Sequence, residues 1–176
     1  MFTTRELCFI GIFVAVITVC AWINIPVFAV PFTLQTFAVF LTGVMLGAKK
    51  GVTAVLVYIL LGAVGVPVFT QFRGGMGVIF GATGGFIWAF PIMAFLAAIG
   101  DKLRSVGFLF LFLFVGMIVN LSLGMLWFAV FTQSTLHSAF LAVFLPFILL
   151  EILKIIVVII VGKSIKIALA KARIVV

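Results

Sequence analysis

Residues 7–48 read LCFIGIFVAVITVCAWINIPVFAVPFTLQTFAVFLTGVMLGA, 42 positions without Asp, Glu, Lys or Arg. A membrane-crossing helix needs about 20 apolar residues. The run therefore holds two spans, with the break at Pro26 and Pro31, since proline cannot continue a helix. A cleavable leader has an apolar core of only about 7–15 residues, and equally apolar segments follow this one, so the first span is read as retained.

The same punctuation continues outward. Lys49 and Lys50 close the second span. A third runs from about Gly51 to Val66 and enters a Gly/Pro-rich loop. A fourth runs from about Val78 to Gly100, closed by Asp101, Lys102 and Arg104. Residues 105–150 again carry no formal charge, and the polar TQSTLHS at 132–138 divides them into a fifth span and the start of a sixth. The sixth ends near Gly162, before a short basic tail. The predicted fold is all-α, a bundle of six transmembrane helices forming one domain over residues 1–176. No internal repeat or soluble domain is visible.

Composition agrees. The chain is 67% hydrophobic and 8% charged, with mean hydropathy +1.58, whereas soluble domains are about 45–50% apolar and about 25% charged. The net charge of +8 is read as membrane orientation, not nucleic-acid binding. Six spans place Arg5, Lys49, Lys50, Lys102, Arg104, Lys163, Lys166, Lys171 and Arg173 on one side, nine of the eleven Lys and Arg residues. By the positive-inside rule that side, with both termini, is cytoplasmic.

Several chemistries are excluded. VGKS at 161–164 lacks the earlier glycine of a phosphate-binding loop, because position 157 is valine, and no strand precedes it. Cys8 and Cys20, in one predicted helix, lie about 18 Å apart, beyond the roughly 7 Å that a disulfide allows. The single histidine, His137, has no second metal ligand nearby and no nucleophile–acid set to join. No metal or cofactor is expected. The sequon at Asn120–Ser122 falls within a span, so Asn120 is read as an interhelical hydrogen bonder or a ligand contact. GIFVA at 11–15 and GVMLG at 43–47 place small residues four apart. Such faces serve either packing within the chain or a partner helix.

The remaining charges carry the functional signal. Glu151 and Lys154 interrupt FLPFILLEILKIIVV at 144–158. Each costs about 2.5–3.5 kcal/mol at a helix centre, and three-residue spacing puts them on one face. They form either a self-neutralising structural pair or a polar ligand site at membrane depth. Arg73 is the one cation in the outer loops, set among glycines that permit tight folding. Gln35 and Thr36 add neutral polar groups on the same side. Together these residues describe an outward-facing pocket for a small anionic molecule with an apolar body.

Three stretches resemble the biotin-specific substrate-binding subunits, the BioY family, of energy-coupling factor transporters. VPFTLQTFAVFLTGVMLGAKKG (30–51) is similar to the family's second-helix motif. GAVGVPVFTQFRGGMGVIFGATGGF (62–86) is similar to its loop and the following glycine-rich run. FLPFILLEILKIIVV is similar to its last helix. Ala82 stands for the usual proline, Phe86 for tyrosine, and Glu151 for aspartate. The resemblance implies a six-helix vitamin-binding fold, high-affinity capture of biotin from outside, and no enzymatic activity. The implied ligand residues are Arg73, Glu151, Lys154, Gln35 and Asn120. It also implies a prokaryotic plasma-membrane location, with a membrane scaffold (T) subunit and two ATPase subunits as partners. The scaffold would dock on the first helix through Gly11 and Ala15. The alternatives are the same fold binding another vitamin, an intramembrane enzyme using Glu151, or a channel.

Overall fold

A computed structural model describes residues 2–25 and 30–172. Pro26 and Arg173, both used in the reading above, lie outside the described residues. Helix α1 spans Thr4–Trp22 and starts on a capping box, with Thr3 Oγ1 accepting from Glu6 N at 3.3 Å and Glu6 Oε2 accepting from Thr3 N at 2.8 Å. These bonds satisfy donors that a helix start otherwise leaves bare. Beyond α1, strand β1 (Asn24–Ile25) pairs antiparallel with β2 (Phe32–Thr33). This short ribbon is the one departure from an all-helical chain among the described residues.

Helix α2, Gln35–Ala63, is two arms and not a straight rod. At Gly47 φ is 74° and ψ 177°, a conformation that glycine adopts without a Cβ clash. There the chain reverses. Gln35 Nε2 donates to Tyr58 Oη at 2.7 Å, although 23 residues of straight helix would separate them by about 35 Å. A Cβ on Gly51 would lie 3.2 Å from the Gly43 Cα, so the arms touch backbone to backbone. These arms, residues 35–46 and 48–63, overlap the stretches expected as the second and third spans.

A loop carries a 3-10 turn (Thr70–Phe72) and a short helix α3 (Met76–Ile79) before helix α4, Gly84–Lys102. The fourth span thus starts at Gly84, not near Val78, because the glycine-rich 81–85 run makes a turn. Helix α5 is Val106–Thr132. After it, α6 (Leu136–Ala139), a π turn (Phe140–Phe144) and α7 (Leu145–Lys171) form one rod. Pro146 supplies no N–H to this rod, and the π turn just before it absorbs the mismatch. The expected end near Gly162 is corrected: the helix runs on to Lys171, so the tail lysines stand on helix.

Among the described residues, five helices are long and apolar enough to cross a membrane, counting α2 and the α6–α7 rod as one each. Their outer faces are apolar too, with Phe108, Leu111, Leu126, Leu149 and Ile160 exposed. A helix that is apolar all round suits a bundle on one side and lipid on the other. Lys50 pairs with Glu6 at 3.9 Å and Lys166 with Asp101 at 2.5 Å. These pairs gather the start of α1, the Gly47 reversal, the α4–α5 turn and the end of α7 at one end of the bundle. The other end holds the cavity.

Candidate functional site

That cavity measures about 390 Å³, within the range of small-molecule sites. Its charged wall comes from α7. Lys154 Nζ donates to Glu151 Oε1 at 2.6 Å, and both residues are about 95% buried. Thr36, from the first turn of α2, completes the set: its hydroxyl accepts from Lys154 at 2.8 Å and donates to Glu151 Oε1 at 3.0 Å. The ammonium also sits 4.2 Å from the centroid of the Phe32 ring, a favourable cation–π placement. Glu151 Oε2 is buried and has no hydrogen-bond partner among the described residues. A buried acceptor left bare costs about 1–3 kcal/mol, and more when charged. A ligand donor would recover that energy.

Gln35 is fixed by a relay. Tyr58 Oη donates its one proton to Val68 O at 3.0 Å, so it must accept from Gln35 Nε2. This fixes the amide orientation and leaves Gln35 Oε1 without a hydrogen-bond partner among the described residues. Asn120, 2% exposed on α5, donates to Phe86 O of α4 at 3.0 Å and lines the cavity as well. Asn120 thus makes the interhelical bond and also borders the cavity. Phe69, Phe86, Phe90 and Phe147 supply apolar wall. A Cβ at Gly124 would overlap the Phe86 ring, so that glycine makes room for it.

Arg73 stands at the rim, exposed, with no guanidinium partner among the described residues. Its backbone is held by Phe69 N donating to Arg73 O at 2.9 Å. The preceding Gln71 and Phe72 have φ of 60° and 57°, an uncommon region for residues other than glycine. The loop is held there by Phe72, packed at a tilt against Trp22 with ring centroids 4.7 Å apart, and by Trp22 Nε1 donating to Pro67 O at 3.0 Å.

Arg73, Glu151, Lys154, Gln35 and Asn120 thus meet around one cavity, although they come from four separate stretches of chain. Gly11 and Ala15 lie elsewhere, on the exposed face of α1, and nothing lies within 4 Å of a Cβ built on Gly11. GVMLG behaves differently: a Cβ at Gly43 would overlap the Ala94 carbonyl, so this face packs inside the chain. His137 is exposed on α6, away from the cavity. Sequence reasoning missed Tyr58, Phe32 and the Trp22–Phe72 clamp. Tyr58 left a trace, as the sole tyrosine in an apolar run, whose hydroxyl needs a partner once buried. Tyr58→Phe is expected to lower stability by about 1–3 kcal/mol, because Val68 O and Gln35 Nε2 both lose a partner. An unchanged unfolding midpoint would show that the relay is dispensable.

Fold and cavity define a multi-pass membrane bundle with a polar, aromatic-walled chamber at one end. The model of the BioY family matches residues 1–171, and the chain belongs to that family. It is 41% identical over 151 residues to the probable biotin transporter BioY of Pyrococcus horikoshii, covering 85% of this chain and 89% of that one. It is 37% identical over 163 residues to the biotin transporter BioY of Thermotoga maritima, covering 92% and 96%. A crystal structure of the S-component for biotin from an ECF-type ABC transporter superposes with TM-score 0.85 over 94% of this chain and 95% of that one. At 24% identity that likeness speaks for the fold.

Proposed function

We propose that this chain is the substrate-binding subunit of an ATP-driven energy-coupling factor transporter and captures biotin from outside the cell. The observation that carries this reading is Glu151 Oε2, a buried carboxylate oxygen with no hydrogen-bond partner among the described residues, in a chamber shared with two cations. Biotin's ureido group offers N–H donors, its valerate ends in a carboxylate, and its bicyclic body is largely apolar. The relatives' names point the same way. Burial sorts the two cations. Lys154 is occupied by Glu151 and Thr36, whereas Arg73 is exposed and has no ion-pair partner among the described residues. The ureido N–H groups accordingly meet Glu151 at depth, with Gln35 and Asn120 alongside. The carboxylate, costlier to dehydrate, meets Arg73 at the rim.

The two arms of α2 and the basic residues gathered at the end opposite the chamber support six spans with cytoplasmic termini. The setting is a prokaryotic plasma membrane. Residues 1–176 act as one vitamin-binding domain, and a membrane scaffold and two ATPase subunits supply the driving force. The test is calorimetric titration of the purified subunit with biotin, riboflavin and thiamine. Saturable binding of biotin alone is expected. Binding of another vitamin in its place would keep the architecture and change the substrate.

Arg73→Ala is expected to weaken biotin by about 1.5–3 kcal/mol, the range for a charge-assisted contact, but to leave biotin methyl ester nearly unaffected. Equal losses for acid and ester would move the carboxylate away from Arg73. The scaffold is assigned to the exposed small face of α1, so Gly11→Trp and Ala15→Trp should lose co-purification with it yet bind biotin normally. Normal assembly in both would place the scaffold on another face.

A further inference from the structure

We infer that the end of the bundle opposite the chamber carries a binding site for an anionic phospholipid. A groove of about 950 Å³ opens there, between the α4–α5 turn, the end of α7 and the Gly47 reversal. From Glu151 in the chamber to Lys163 in the groove is twelve residues of α7, or about 18 Å, so the two sites are separate.

Lys102, Arg104, Lys163 and Lys166 border the groove, with Asp101 the one carboxylate among its lining residues. The local charge is therefore net +3. Lys166 is paired with Asp101, a contact that joins α7 to α4. Lys102, Arg104 and Lys163 form no ion pair among the described residues. Arg104 is held in the left-handed region at φ 55° by its N–H donating to Asp101 O at 3.1 Å. Arg104 lines the groove together with Lys163 and Lys166 of α7.

The groove is also polarised along the helix axes. On α4, Ile99 and Phe95 line it three and seven residues before Lys102, about 4.5 and 10 Å deeper. On α5, Val106 and Leu109 follow the Ser105 rim inward. Lys102 and Arg104 stand at the end of α4 and just after it, Lys166 is level with them through Asp101, and the apolar side chains lie toward mid-bundle, the same order as headgroup and acyl chain in a lipid leaflet. A small soluble anion would satisfy the cations but has no use for the apolar wall. A phospholipid satisfies both, and basic pockets between membrane helices are suited to such headgroups.

The test uses the full chain in neutral detergent, titrated with dioleoylphosphatidylglycerol and with dioleoylphosphatidylcholine, with native mass spectrometry as readout. The parent is expected to retain phosphatidylglycerol in preference to phosphatidylcholine. The triple variant Lys102→Gln, Arg104→Gln, Lys163→Gln should bind phosphatidylglycerol about tenfold or more weakly while binding biotin as the parent does. Should the triple variant lose both ligands through misfolding, Val106→Glu decides. It adds a negative charge to an exposed groove position, removes no cation, and is expected to weaken phosphatidylglycerol alone. Equal affinity in parent and variants, or no preference between the two lipids, overturns the proposal. So does displacement of the lipid by equimolar inorganic phosphate, which would make this a site for a soluble anion.

Discussion

The double variant Glu151→Leu, Lys154→Met is expected to insert and fold, and to lose biotin by about 3–6 kcal/mol, two charge-assisted interactions at about 1.5–3 kcal/mol each. The pair is neutral as a whole and about 95% buried. Replacing both members of a buried pair with apolar side chains of similar volume is often neutral or stabilising, because two desolvation costs disappear with one attraction. Thr36 loses both of its partners, but it lines the chamber, where water can replace them. Biotin has no such substitute, since its ureido donors would enter a site without an acceptor. Thermal unfolding and calorimetry on the same preparation separate the two effects. A double variant that unfolds would make the pair structural. One that binds biotin normally would place the site elsewhere.

The single variant Lys154→Met is expected to be the more damaging to the fold, by about 3–5 kcal/mol. It leaves the Glu151 carboxylate buried with Thr36 as its one remaining hydrogen-bond partner, and Oε2 is already bare. For a chain of this size the loss corresponds to a fall in unfolding midpoint of roughly 6–20 °C. Adding Glu151→Leu should restore the midpoint. The two substitutions are then strongly non-additive, as expected for groups in direct contact. A single variant as stable as the parent would mean that the carboxylate is not held charged against Lys154.

The charge-free run at 7–48, the prolines that interrupt it and the basic residues that end each span were enough to specify a helical membrane bundle, because hydropathy acts locally and over many residues. Glu151 and Lys154 were legible for the same reason: an ionised side chain is costly in an apolar run, so each one present invites a functional reading. Arg73 stood out by its isolation among the outer loops. These three residues, with Gln35 and Asn120, do line one cavity, although the sequence alone did not show that they meet.

Tertiary structure decided what depends on how distant segments approach. The pattern of small residues four apart is alike at 11–15 and 43–47. Packing nevertheless leaves Gly11 on an open face and presses Gly43 onto the Ala94 backbone, because the pattern permits close approach without saying to what. Lys49 and Lys50 announced a break between two spans near this point, but not that Gly47 would make the turn, since a glycine in an apolar run is compatible with either a straight helix or a turn. That reversal brings Tyr58 to Gln35 across 23 residues. The folded bundle likewise brings Thr36 between Glu151 and Lys154 across more than a hundred. A hydroxyl's hydrogen-bond partners are set by contacts within about 3 Å. Because these helices are apolar on their outer faces as well, hydropathy sets where they cross the membrane, and only the packed bundle determines which faces are buried and which groups meet there.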